Sequence, residues 1–215
     1  MLHKDTVESE TLALLGTLSR DEKLADFFLV GGTALSLQLG HRKSIDLDLF
    51  TRKSFDPDHL TNHLRTRYPD WTIDIQENFP NTLMVLLNNI KVDFVQHNYP
   101  LLHPLELHDP IRMASLDDIA AMKVNAIVQS GKRMKDFVDM AEIAKYRSIQ
   151  SVVQFYMDKY PNVSPVAARM AISYFEDVTK TDPPRMLKQP LDWERTKNTL
   201  TQFAAGRNIN QSPSR

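Results

Sequence analysis

The chain has no cysteine, so neither a disulfide framework nor a thiolate metal site can belong to it. It also has no apolar run near the ~20 residues that a membrane-spanning helix needs, which argues against a helical membrane protein. Charge of either sign is not in excess: 26 Lys and Arg face 27 Asp and Glu, for a formal net charge of -1. The protein therefore lacks the basic surplus of a dedicated nucleic-acid binder, and any such partner must be held by a local patch. The opening residues MLHKDTVESE carry no apolar stretch that could serve as a secretory signal, and we expect a cytoplasmic protein. With 215 residues, 42% hydrophobic and 25% charged, the composition is that of an ordinary globular chain. That length suffices for an α/β unit with a helical extension.

Hydrophobic spacing changes character along the chain. Val7, Leu12, Leu15 and Leu18 recur at helical intervals over 7–20, FFLV at 27–30 reads as a short buried strand, and TALSLQL at 33–39 as a helix. Gly31 and Gly32 form the turn between them. Asp56-Pro57 is an N-cap followed by proline at the first helical position, opening a helix that runs to Pro69. WTIDIQEN, TLMVLL and IKVDFV then read as strands, with Asn88-Asn89 as a tight hairpin between the last two. From Ser115 the period becomes 3.6. Ser115 with Asp118 is a capping signature for a helix ending near Gly131, and three further helices are expected over 133–146, 150–160 and 165–178. TDPPRMLKQPLD is an irregular connector, and WERTKNTLTQFAAG a last helix. We expect an α+β chain: a mixed sheet with flanking helices over 1–112, a helical region over 113–206 and a disordered tail over 207–215.

The segment SIDLDLF raises a question of charge. Strand alternation sends Ile45, Leu47 and Leu49 to the core and puts Asp46 and Asp48 on the other face, roughly 6.5 to 7 Å apart. In IKVDFV the same alternation buries Ile90, Val92 and Phe94 and turns Lys91, Asp93 and Val95 outward, so a neighbouring strand could bring Asp93 beside the first pair. Three converging carboxylates repel one another unless a cation neutralises them. Mg²⁺, a hard ion that binds through a few carboxylates plus substrate phosphates, suits such a set. Gly31-Gly32 lets the backbone approach a phosphate closely, and the helix beginning near Thr33 offers free N–H groups to an anion. Metal on one side and polyphosphate on the other describe a phosphoryl- or nucleotidyl-transfer site. His41 lies at a helix end, where histidine caps carbonyls, and Met122, Met134 and Met140 fall at helical spacing as core filler.

These residues resemble the nucleotidyltransferase fold of the DNA polymerase beta type. More narrowly, VGGTALSLQLGHRKSIDLDLF and LDDIAAMKVNAIVQSGKRMKDFVDMAEI resemble the AbiEii/AbiGii toxin family of nucleotidyltransferases, with matching motifs from about residue 27 to 145. The resemblance implies that Gly31, Gly32 and Thr33 hold an NTP triphosphate and that Asp46, Asp48 and Asp93 bind Mg²⁺. It implies that Arg42 and Ser44 contact phosphate or buttress the site. Lys123 would reach the nucleotide phosphates from the helical region, and Asp136 matches the family's acidic position, with Arg133, Lys135 and Asp139 around it. The implied activity is transfer of NMP from NTP to an acceptor hydroxyl, with Asp46, Asp48, Asp93, Lys123 and Asp136 as catalytic residues. The implied acceptor is RNA, at the tRNA 3′ end, within a bacterial toxin-antitoxin pair that includes a cognate antitoxin protein. Lys123, Lys132, Arg133 and Lys135 would make a small RNA contact. Two other readings stay open at this stage: transfer to a protein or a small molecule, and a nucleotide-binding module without turnover.

Overall fold

In the computed structural model, which describes residues 1–207, a mixed seven-stranded sheet carries helices on its flanks and continues into a helical region. The sheet order is β3 (Ile73–Phe79), β4 (Thr82–Leu87), β5 (Ile90–Gln96), β2 (Leu47–Thr51), β1 (Phe28–Val30), β7 (Ile111–Met113) and β6 (Glu106–His108). β2 runs parallel to β5 and β1 parallel to β7, and the remaining pairs are antiparallel. The β4–β5 hairpin turns at Asn88 and Asn89, both at positive φ of 50° and 65°, the conformation in which asparagine is well tolerated. The β6–β7 hairpin was not legible in the sequence, because two three-residue strands carry too few positions to show an alternation.

The helices are α1 (Ser9–Arg20), α2 (Gly31–Leu39), α3 (Pro57–Arg67), α4 (Leu116–Gln129), α5 (Met134–Ile143), α6 (Ile149–Lys159), α7 (Pro165–Ile172) and α8 (Trp193–Ala204). Their starts follow the caps expected. Asp56 accepts from the N–H groups of Asp58 and His59, and Ser115 from that of Asp118. α7 stops at Ile172, short of the expected 178, because the chain turns there so that Phe175 can pack edge-on against Phe137 and Trp193. Gly31 and Gly32 are not a separate turn but the first residues of α2; Gly31 at φ 67° makes the sharp entry from β1.

Ile45, expected in the core, is 58% exposed. The ladder of β2 begins only at Leu47, and the preceding chain is drawn aside by Ser44, whose N–H donates to the Thr6 carbonyl. One continuous core runs from Val7 to Phe203 and includes residues of both the sheet and the helical region. α2 packs on both α4 and α5, so the helix that follows the glycine pair is clamped between the two regions. The expected tail, apart from Arg207, lies outside the described residues.

Candidate active site

Strand register assembles the acidic residues. Val30 pairs with Asp48 across β1 and β2, and Asp48 pairs with Asp93 across β2 and β5, so the two aspartates lie side by side just beyond the glycine pair. A Cβ on Gly31 would fall 2.0 Å from Asp48 Oδ2, which means the Asp48 carboxylate rests on the bare backbone where α2 begins. Asp46 immediately precedes β2, and its carbonyl accepts a hydrogen bond from the Thr33 hydroxyl. Thr33 Oγ1 also shares a hydrogen bond with Ser44 Oγ at 2.8 Å, in which the serine hydroxyl is the donor. The Thr33 side chain is thus engaged inside the protein, where it ties α2 to the segment ahead of β2.

The electrostatics of the pair are unbalanced. Burial pushes the Asp48 carboxyl up to about 6; Lys123 opposes the rise, while Asp93 and Asp46 add to it. Asp93 is 8% exposed; Lys91 Nζ donates to its Oδ2 at 2.6 Å, but Oδ1 is buried with no hydrogen-bond partner among the described residues. An orphaned carboxylate oxygen beside a second carboxylate that resists ionisation is a place where positive charge is wanted. Among the described residues, however, no group of three or more His, Asp and Glu is arranged to hold a metal ion by itself. The residues present therefore fit a divalent ion that takes one or two carboxylates and completes its shell with water and phosphate oxygens, the habit of Mg²⁺.

Behind this pair lies a buried ionic network centred on Asp139. Arg42 grips it with two hydrogen bonds, Nε to Oδ1 at 2.6 Å and Nη2 to Oδ2 at 2.9 Å, while Arg42 Nη1 donates to the Lys43 carbonyl. His41 Nε2 lies 2.8 Å from Asp139 Oδ1, and Lys123 Nζ 2.7 Å from Oδ2. Lys123 Nζ also bonds Asp136 Oδ1 at 2.7 Å, and Arg133 reaches Asp136 as well. Burial alone would raise the Asp139 carboxyl, but the Lys123 and Arg42 charges and their hydrogen bonds hold it well below its ordinary value. Burial loosens the proton on Lys123, but Asp139 and Asp136 outweigh that and hold it more firmly than usual. A Cβ on Gly32 would lie 2.3 Å from Arg42 Nη2, so the second glycine makes room for the guanidinium.

Arg42 therefore has the geometry of a buttress, with its guanidinium turned to Asp139. His41 bonds a carboxylate instead of capping helical carbonyls; Gly40, at φ 66°, ends α2 unaided. Asp139, the centre of the network, was read only as a neighbour of Asp136. Its signal was present in the sequence, an Asp three residues after Asp136 on the buried face of a helix, but nothing local could match it to Arg42 nearly a hundred positions earlier.

Gly32, Arg42, Ser44, Asp46, Asp48 and Lys123 line a pocket of about 210 Å³ whose rim carries Lys43, Arg133, Lys135, Asp182 and Arg185. Gly31, Thr33, Asp93 and Asp136 stand behind that lining: Asp93 in register with Asp48, and Asp136 on the ammonium of Lys123.

This arrangement can be set beside known proteins. Residues 13–206 match the family model described as nucleotidyl transferase AbiEii toxin, type IV toxin-antitoxin system. The chain belongs to the AbiEii family. It is thus a nucleotidyltransferase of a toxin family. It is 34% identical over 159 residues to an uncharacterized protein of Aquifex aeolicus (strain VF5), covering 71% of this chain and 75% of that one. Among solved structures it resembles JHP933 from Helicobacter pylori, at 18% identity and a TM-score of 0.57, with 93% of this chain and 92% of that chain covered. It also resembles MenT4, a nucleotidyltransferase toxin from Mycobacterium tuberculosis H37Rv, at 16% identity and a TM-score of 0.57, with 94% and 87% covered. At these identities the structural likeness speaks for the fold alone. Among the described residues no helix is long and apolar enough to cross a membrane.

Proposed function

We propose that this AbiEii-family protein is a cytoplasmic enzyme that moves NMP from an NTP to the 3′ hydroxyl of an RNA, in the first instance a tRNA, with release of pyrophosphate. The observation that carries the reading is the Asp48–Asp93 pair, set in register across β2 and β5, with a raised carboxyl on one side and an orphaned buried oxygen on the other. Mg²⁺ bound there would neutralise charge as it builds on the α-phosphate and the leaving pyrophosphate.

The chain's own groups do the rest. Gly32 lines the pocket at the start of α2, where the helix N-terminus would offer its free N–H groups to the phosphates with no side chain in between. Lys123, kept charged by Asp136 and Asp139, adds a fixed positive charge at the pocket wall. Asp93, in register with Asp48, would take the proton of the acceptor hydroxyl. Ser44 and Arg42 fix this geometry from behind through Thr33 and Asp139. The small cationic rim suits a single-stranded end with a free hydroxyl better than a long duplex, which would demand a broad basic face. A cognate antitoxin protein would be the partner that restrains the activity.

The test is incubation with each labelled NTP and Mg²⁺ in the presence of total RNA, then of purified tRNA. Label in the tRNA fraction, lost in Asp48→Asn, is the expected result. Label found only in protein redirects the reading to a protein acceptor, and no label anywhere removes turnover from the proposal.

A further inference from the structure

The segment 179–187, which overlaps the irregular connector TDPPRMLKQPLD, is a strap across the pocket. At one end the N–H and hydroxyl of Thr179 both donate to the Lys132 carbonyl, just before α5. At the other, the Lys43 N–H donates to the Arg185 carbonyl and the Leu187 N–H to the His41 carbonyl, with Arg42 and Met186 bridged antiparallel. Between these anchors, Asp182, Pro183, Pro184 and Arg185 form one wall of the cavity that holds Asp46, Asp48 and Lys123. The span between anchors is fastened to the opposite wall by the ion pair of Lys135 Nζ with Asp182 Oδ2 at 2.5 Å.

The two partners differ in exposure. The Asp182 side chain is 76% exposed, whereas that of Lys135 is only 29% exposed and lines the pocket. An ion pair so open to solvent is weak and easily exchanged for another anion. The pocket of about 210 Å³ is also smaller than the several hundred Å³ that ligand clefts of nucleotide size usually provide. Lys43 and Arg133 on the same rim already pair with Glu8 and Asp136, and Arg185 makes no ion pair among the described residues.

We propose that Lys135 is a phosphate-binding residue of this site, occupied by Asp182 until a polyphosphate displaces it and the strap moves outward. The inference rests on the nucleotidyl-transfer reading and adds to it a residue and a gate. Asp182 acts as a built-in competitor: its carboxylate stands where a phosphate oxygen would stand, and the incoming anion must bring more charge than the one it replaces. A nucleoside triphosphate or inorganic tripolyphosphate does so. A neutral nucleoside does not, so the strap would admit it poorly. Arg185, carried on the strap itself and without an ion partner, is placed to follow the phosphates as the strap resettles.

A double-mutant cycle tests this, with affinity for MgATP, MgGTP and inorganic tripolyphosphate measured by calorimetry on the full chain and thermal melts confirming that each variant folds. Asp182→Asn should tighten binding about two- to fivefold, the range an exposed ion pair supplies. Lys135→Gln should weaken it by a similar factor, and in the Lys135→Gln background Asp182→Asn should change nothing. If Asp182→Asn tightens binding equally with and without Lys135, the effect is general electrostatics and the latch is overturned. If Asp182→Asn alone has no effect on ligands that the wild type binds, the latch is overturned while the transfer reading stands. If folded wild-type protein binds none of the three probes nor any other MgNTP, the transfer reading itself fails and the gate with it.

Discussion

Asp48→Asn is the perturbation with the most to say, because the same side chain should weaken the fold and enable the chemistry. Its carboxyl sits on Gly31, between Val30 and Asp93, where burial pushes it up to about 6 from an ordinary 3.8 and Asp93 adds repulsion. A folded protein that holds a proton more tightly than the unfolded chain loses stability as pH rises. The penalty is absent below about pH 4, grows between about 4 and 6, and is complete above that. Its full size would be about 3 kcal/mol at ~1.4 kcal/mol per pH unit, and since Asp48 is only half-buried, screening by solvent reduces it to ~1–2 kcal/mol.

Asparagine is nearly isosteric, so it keeps the contact with Gly31 and removes the charge. In metal-free buffer with chelator, Asp48→Asn should raise the melting temperature at pH 8 by about 2–8 °C, at ~2–4 °C per kcal/mol for a chain of this size. The gain should shrink steadily toward pH 4.5. Transfer from NTP should fall at least ~100-fold, since a metal's charge stabilisation is worth several kcal/mol. Scanning calorimetry at the two pH values and a labelled-nucleotide assay read both quantities. A variant that melts lower than wild type at pH 8 would show Asp48 to be a structural acceptor, and one that keeps full transfer would remove it from the metal site.

Three other perturbations follow from the same structure. Asp139→Asn leaves Arg42 and Lys123 buried without their shared counter-charge and should cost ~3–5 kcal/mol by denaturant unfolding; because the Asp139 carboxyl is held well below its ordinary value, the wild-type contribution is complete above about pH 4 and is lost only as pH falls through that lowered value. A loss under 1 kcal/mol would mean that the network is not coupled as drawn. Gly32→Ala drives a methyl to within 2.3 Å of Arg42 Nη2 and should cost ~2 kcal/mol or more, whereas in an Arg42→Met background the same change should cost much less; equal costs in both would place the strain elsewhere. Lys159→Met strips the fully buried Asp118 of the ammonium that also bonds the Pro100 carbonyl, at a cost of ~3–5 kcal/mol, while NTP affinity of the fraction that stays folded should not change; altered affinity would tie this distant pair to the pocket.

The parts of this site that the sequence disclosed are those whose physics is local. Asp48 and Asp93 could be placed on one face because strand alternation has a period of two, and the parallel β2–β5 register then set them side by side. Asp46 and Ile45 show where that logic stops. Alternation holds only inside a ladder, and the ladder starts at Leu47, because the Ser44 N–H is already bonded to Thr6 near the N-terminus. Caps were legible for the same reason as strands: Asp56 and Ser115 act on N–H groups two or three residues away. The strap was not legible, since its contacts run to residues 41–43 and 132–135 and its own composition says only that it is neither helix nor strand.

What remained hidden is also what makes the site a single object. Asp48 and Asp93 belong to the sheet and Asp46 lies just ahead of β2; Lys123, Asp136 and Asp139 belong to α4 and α5. Arg42 and His41, on the segment between α2 and β2, reach across and hold Asp139, and Lys123 on the far side holds the same carboxylate. A buried ion network of this kind gives little net stability over a well-packed apolar one, because desolvation offsets the attraction. Its effect is positional. The ammonium of Lys123 can face Asp48 only if Asp139 and Asp136 have already fixed it, and Asp139 can be ionised in the core only if Arg42 and Lys123 are both present. Sheet and helices must therefore dock before the pocket acquires its charge pattern, so an unfolding intermediate that keeps the sheet but releases α5 should retain Asp48 and Asp93 in register and yet bind no triphosphate.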